Sequence, residues 1–291
     1  MKGIKGDRLF IFLFLTPAFL ISAIFLYYPF FENFIQSFYK TDGFFNSTFI
    51  GLDNYKRLFK DEIAIGATLN SLELMLYVAI FQVGIALVLA VMVDSIKHGK
   101  RFFQTTFFFP VVISGASIGL LFTLIYNHRN GLLNEILVKL GFERIVWLTE
   151  KSSLYMVAIP TIWSYVGFYF VIILTAIGKI PDDFYEAAKL EGVTGFQRLT
   201  RITIPLIITD LKTCLVLAIT GALKIFELVY IITRGGPARS SEVLGTYMYQ
   251  KAFEDSAIGY GATLAVLMVV IGVSLAIITN KLLTNKDEVT Y

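Results

Sequence analysis

The chain has 291 residues, of which 56% are hydrophobic and only 16% charged, with a net charge of +3 at pH 7. A soluble domain carries about 25% charged residues, so much of this chain must face a medium of low dielectric. The small net charge argues against a nucleic-acid binder. The one cysteine, Cys214, rules out an internal disulfide and, in its apolar run, reads as a packed core thiol.

A crossing of a bilayer takes about 20 mostly apolar residues. Six stretches meet that requirement: Leu9–Phe31, Ala67–Val93, Phe102–Tyr126, Leu154–Ile177, Ile204–Ile231 and Ile258–Asn280. Lipid offers no partner to an open backbone, so these runs are predicted to be helices. The first follows Lys2, Lys5 and Arg8. Its apolar part is too long for a signal peptide and no small-residue cleavage site follows, so it reads as a retained helix. The segment Asp94–Arg101 carries Lys97, Lys100 and Arg101, which with the basic N-terminus predicts N-in and C-in topology. Lys and Arg divide almost evenly between the two sides, but the external connections are longer, so the density favours that orientation. Those connections, Tyr39–Gly66, Asn127–Ser153 and Thr233–Ala257, contain helical apolar spacing at Gly131–Leu140, stopped by Gly141, and at Glu242–Phe253. They form either simple ties or a docking face. The chain is thus expected to divide into residues 1–66, a first transmembrane helix and external segment, 67–281, a five-helix core, and 282–291, a cytoplasmic tail.

Between the fourth and fifth crossings lies a polar segment, IPDDFYEAAKLEGVTGFQRLTRITIP, residues 180–205. Pro181 favours a helix start, and Asp183 with Glu186 fits a capping box. The helix Phe184–Glu191 should stop at Gly192, which tolerates a left-handed backbone. Thr194 with Gln197 fits a second capping box ahead of a helix Phe196–Thr203, and Pro205 leads into the membrane. Helix, sharp turn and helix therefore sit outside the bilayer. The first helix has small residues at Ala187 and Ala188 and spans only about 12 Å, so it needs a surface to rest on, its own bundle or a partner.

Glu186-Ala187-Ala188, then Gly192, then Ile202, Ile204 and Pro205 resemble the EAA loop of binding-protein-dependent ABC import permeases. Glu191 stands where Asp is usual in that family, and Thr209 stands where a second proline often occurs, which would straighten the start of the fifth crossing. Gly51-Leu52-Asp53-Asn54-Tyr55, Asn70-Ser71, Pro110, Gly131-Leu132-Leu133-Asn134 and Thr233-Arg234-Gly235-Gly236-Pro237 are similar to the sugar branch, the glycerol-phosphate and maltose permease type. The resemblance implies an all-α polytopic membrane protein with six transmembrane helices and a cytoplasmic coupling helix between helices 4 and 5. It implies that Tyr185, Glu186, Ala187, Ala188, Glu191, Gly192 and Pro205 engage a separate ATPase. It also implies a heterodimer with a second, similar permease, two ATPase subunits carrying the ATP and Mg, an external solute-binding protein, and a bacterial or archaeal cell membrane.

Ionisable residues within spans suggest a pathway by default. Glu73 lies in the second crossing, and Asp210, Lys212, Lys224 and Glu227 in the fifth. Lys224 and Glu227, three apart on one helix face, either pair with each other or meet a solute; the resemblance places Glu227 at a usually acidic position. Phe226 and Tyr230 flank it, and Trp163, Tyr165 and Tyr169 lie in the fourth crossing. Such rings either stack on a sugar or simply pack. Gly115, Ala116, Ser117 and Gly119 form a small-residue face suited to close helix packing. No GxxxxGK[ST] run is present, so the chain is not expected to hold ATP; His98 and His128 stand far apart, and no cluster of catalytic type is seen. The alternative is a stand-alone ion-coupled secondary carrier, a class that tends to broken helices and internal repeats. A phosphorylated solute is less favoured, since no Arg lies inside a span.

Overall fold

The structure, a computed structural model, describes residues 4–43, 46–96 and 98–283. Lys2, Lys97 and most of the predicted tail 282–291 lie outside the described residues. Two compact units emerge, Met1–Ala64 with Met248–Met268, and Ile65–Tyr247 with Val269–Tyr291.

The first unit begins with α1 (Ile4–Ser22), which passes through a π-turn at Ala23–Tyr27 into α2 (Tyr28–Gln36). The apolar stretch Phe10–Gln36 buries none of its residues. Such a helix has no core of its own and must be solvated by lipid or a partner. Two strands follow, β1 (Tyr39–Thr41) and β2 (Ser47–Phe49), paired antiparallel with Tyr39 opposite Phe49. This hairpin corrects the all-α expectation. Asp42-Gly43 supplies the turn chemistry, with Gly43 at φ +84°, and the Tyr39 and Phe49 rings meet edge to face at 5.3 Å. Next comes α3 (Asp53–Leu58), in which buried Asn54 donates to the carbonyls of Ser37 and Tyr39, each at 2.9 Å. Asp61 accepts from the amides of Ile63 and Ala64 and from the Tyr260 hydroxyl at 2.6 Å, which seals the helix start that follows.

That helix is α4 (Glu62–Asp94), followed by α5 (Lys100–Val112), α6 (Gly115–Ile125), α7 (Leu132–Lys139) and α8 (Ser153–Ile177). Then come α9 (Asp182–Leu190), α10 (Gly195–Arg198), a π-turn at Leu199–Thr203, α11 (Ile204–Leu206), α12 (Ile208–Ala222), α13 (Glu227–Ile232), α14 (Leu244–Tyr249), a π-turn at Gln250–Glu254, and α15 (Ile258–Leu283). Four helical stretches are long and apolar enough to cross a membrane: Phe10–Gln36, Glu62–Asp94, Ser153–Ile177 and Ile258–Thr279. Two bent pairs bring the number to six if each pair is one span.

Those bends correct two predicted crossings. The third is broken at Ile113–Ser114, where α5 and α6 meet at 91°. Pro110 has no N–H to give the preceding turn, the helix ends two residues later, and Ser114 restarts it by accepting from the Ser117 amide at 3.2 Å. The fifth, expected as one helix over Ile204–Ile231, ends at Ala222. Its last amides close short turns, Lys224 on Gly221 and Ile225 on Ala222, before α13 begins. Its entry is bent too, by 75° at Ile207, so the absence of a second proline at Thr209 does not straighten it. Pro205 and the π-turn before it already divert the chain, with the Ile204 amide reaching back to the Leu199 carbonyl. Broken helices, expected only of the carrier alternative, are therefore part of this fold.

The second unit holds two apolar clusters. One gathers Ala86, Ala90, Phe170, Ile173, Ile207 and Cys214; the other gathers Leu74, Val78, Ile118, Val157 and Val229. At Gly167 of α8 a Cβ would strike the backbone carbonyl of Phe107 in α5, so these helices cross backbone against backbone. Pro160 leaves the Met156 carbonyl without its helical donor, and the Tyr126 hydroxyl supplies one at 2.9 Å.

Candidate functional site

Two places stand out in the second unit, a capped loop and a cavity. The loop begins at α9. Its helix starts one residue after Pro181, which takes the cap position itself, and no side chain caps it. The expected Asp183–Glu186 capping box is therefore corrected: Asp182 and Asp183 lie inside the first turn, where their charge favours the helix dipole. The far end closes as the sequence dictates. Gly192 sits at φ +73°, its amide on the Lys189 carbonyl and the Val193 amide on the Ala188 carbonyl at 3.2 and 3.0 Å, a Schellman stop. The second capping box is present at Thr194 and Gln197.

Only Ala188 of α9 is buried. Tyr185 is half-buried; its hydroxyl lies 3.3 Å from that of Thr203, and Arg198 lies 5.4 Å from its ring. Glu186, Ala187, Glu191, Gly192 and Pro205 are exposed, and Leu190 is 91% exposed. Phe184 and Phe196 are exposed as well. The unit itself thus holds the loop by one edge and leaves an apolar face uncovered.

The cavity, of about 520 Å³, is lined by α4, α5, α6, α8 and both sides of the break between α12 and α13. Its size falls within the range of small-molecule sites, about 300–1,000 Å³. Tyr169, Lys224, Phe226 and Glu227 line it; Glu73, Trp163 and Tyr230 do not. Glu73 accepts from the Tyr155 hydroxyl at 2.9 Å, Trp163 packs near Phe122, and Tyr230 stacks with Phe226 at 5.2 Å with Arg234 5.6 Å from its ring. Of the two alternatives for Lys224 and Glu227, their mutual ion pair is absent among the described residues, because the helix breaks between them and the three-residue spacing no longer shares a face. Glu227 lies instead against Gly115 at the start of α6, and Ile231 one turn on lies against Gly119. The small-residue face is what lets α13 approach α6.

Gln82, Thr161 and Ser164 were not singled out from sequence, and all three are buried in the cavity wall. Gln82 donates to the Thr161 carbonyl at 2.8 Å, and the two hydroxyls donate back along α8 to Val157 and Pro160, which leaves their oxygens able to accept. A glutamine alone in a long apolar helix was the available signal.

Away from the cavity, side-chain amides fasten the connections. Asn70 donates to the carbonyl of Glu242 at 2.9 Å, and Ser71 accepts from the Leu244 amide. Asn134 is wholly buried; it donates to the carbonyls of His128 and Ile145 and accepts from the Ile145 amide. In the first unit a polar cleft of about 710 Å³ opens beside Lys40, Asp42, Asp53, Arg57 and Asp255.

The family described as "Binding-protein-dependent transport system inner membrane component" matches residues 6–284. The chain is 36% identical over 292 residues to the probable ABC transporter permease protein YurN of Bacillus subtilis (strain 168), covering 98% of this chain and 100% of that one. It is 28% identical to the sulfoquinovosyl glycerol transport system permease protein SmoG of Agrobacterium fabrum, covering 97% and 92%. A solved bacterial ABC transporter involved in import of the acidic polysaccharide alginate superposes with a TM-score of 0.85 at 25% identity, covering 97% of each chain.

Proposed function

The chain belongs to the inner membrane components of binding-protein-dependent transport systems, and from that premise we propose that it is the permease half of an ATP-driven importer carrying a sugar-type solute, an oligosaccharide, inward. The relatives named for sulfoquinovosyl glycerol and alginate transport support the saccharide class. The family assignment gives no support to a stand-alone ion-coupled carrier. The work is shared: a second permease completes the pathway, two ATPase subunits bind ATP and Mg, and a solute-binding protein docks on the face away from the ATPases. The polar cleft beside Lys40 and Arg57 suits such docking.

Six crossings, N-in and C-in, are the reading adopted, each bent pair counting as one crossing. The basic residues Lys100 and Arg101 and the exposed loop at α9 then share the inner side. Ala187, Leu190 and Phe184 enter a groove of the ATPase, with Glu186, Glu191 and Gly192 shaping the peg, and Tyr185 and Pro205 fixing it to the bundle. ATP closes the paired ATPases, the loop moves with them, and the cavity turns outward to receive solute; hydrolysis returns it. Tyr169, Lys224, Phe226 and Glu227 are the solute contacts favoured by position; Glu73, Trp163 and Tyr230 would act only from outside the cavity wall.

The observation carrying this is a loop closed by its own caps whose apolar face its own unit leaves open. Leu190→Asp tests it. The side chain buries nothing, so thermal unfolding of the purified chain should not shift. A central interface residue carries about 2 kcal/mol or more, so retention of the ATPase on affinity-purified complex should fall about 30-fold. Full retention of the ATPase would sink the assignment.

A further inference from the structure

Resting on the reading of the cavity as the solute's path, we propose that Lys224 selects a saccharide bearing one negative charge, a carboxylate or a sulfonate. Two charged side chains occur in the cavity lining, Lys224 and Glu227. Glu227 is turned toward α6. Its carboxylate lies against Gly115, the first residue of α6, where a Cβ would overlap it. That end of an 11-residue helix carries a positive partial charge of about half a unit, and of its first amides Ser117 is taken by Ser114. A carboxylate is the charge that this end of a helix favours.

Lys224 has no such support. It is exposed to the cavity at the break after α12, and no ion pair reaches it among the described residues. A cation without an ionic partner inside a membrane-spanning unit favours a solute that brings an anion. The solute is the group that enters this space. One ammonium matches one monoanion; a dianionic phosphate would leave a charge unmatched on this chain's side, whose described lining holds no second cation. The rest of the wall suits sugar hydroxyls and ring faces, with Gln82, Thr161, Ser164 and Tyr165 beside Phe168 and Phe226. Gly115 is a positioning residue here, because any side chain at that place would push Glu227 off α6.

The test uses the intact importer in nanodiscs, without its binding protein, so that only the cavity selects. Isothermal titration compares cellobiose with its 6-carboxylate, 6-sulfonate and 6-phosphate derivatives. Charge-assisted bonds are worth about 1.5–3 kcal/mol, so the carboxylate and sulfonate should bind at least about tenfold more tightly than cellobiose. Lys224→Gln should abolish that preference, while Lys224→Arg keeps it. Failure of the wild type to bind the acid, equal binding of acid and neutral sugar, a preference that survives Lys224→Gln, or phosphate binding best would each overturn the proposal. Ser164→Trp separates the two levels: it fills the cavity, so if it leaves every titration unchanged, the cavity itself is not the path.

Discussion

The loop at residues 182–206 and the connection at residues 127–153 are both irregular chain between long helices, yet they are secured in opposite ways. The first is closed by bonds between near neighbours, Val193 to Ala188 and Thr194 with Gln197, and its apolar side chains stay uncovered. The second is closed from within by Asn134, wholly buried and bonded to His128 and Ile145. A segment proposed to be gripped by a partner is here secured without being buried. A segment that only has to hold its place can bury its fastening.

Three substitutions put that contrast under load. The largest effect belongs to Asn134→Ala, which removes three hydrogen bonds to part-buried backbone groups at His128 and Ile145; each is worth about 1 kcal/mol, so the unfolding free energy in detergent should fall by about 3 kcal/mol. A shift below about 1 kcal/mol would show that the buried amide is not the fastening. Gly192→Val comes next. A β-branched residue at φ +73° strains the turn by about 2 kcal/mol, yet a Cβ there meets nothing within 4 Å, so the bundle should keep its stability while solute uptake in vesicles falls away and ATP hydrolysis continues. Uptake at the wild-type rate, with normal membrane levels, would end the idea that the loop transmits force. Thr194→Ala is smallest. Losing the capping box costs about 1 kcal/mol, which should appear as faster hydrogen exchange at Gly195–Arg198 alone; exchange spreading into α8 would show that the loop is not locally secured.

How far sequence led differs between the same regions. The stops at Gly192 and Gly141 and the box at Thr194 were legible because each depends on residues a few positions apart. Four long apolar helices were legible because apolar length is a sum along the chain. The breaks were not, since Ile113–Ser114 and Leu223–Phe226 interrupt the backbone without interrupting apolarity, and hydropathy is blind to hydrogen-bond geometry. With the second break unseen, Lys224 and Glu227 read as one helix face, and the approach of Glu227 to Gly115 depends on residues more than a hundred positions apart. The hairpin at Tyr39–Phe49 was missed although Asp42-Gly43 announces a turn, because three-residue strands carry little periodicity. Asp183 was misassigned as a cap because Pro181 already fills that place.

The contact between Gly167 and the Phe107 carbonyl has a mechanical consequence. With no side chain between the two helices there is no cushion to compress and no ridge to slide over, so the crossing behaves as a rivet. Levers that tilt about a rivet trade a small stroke at one end for a larger one at the other. Any swing delivered to the lower part of α8 must either turn about that fixed point or tear it open.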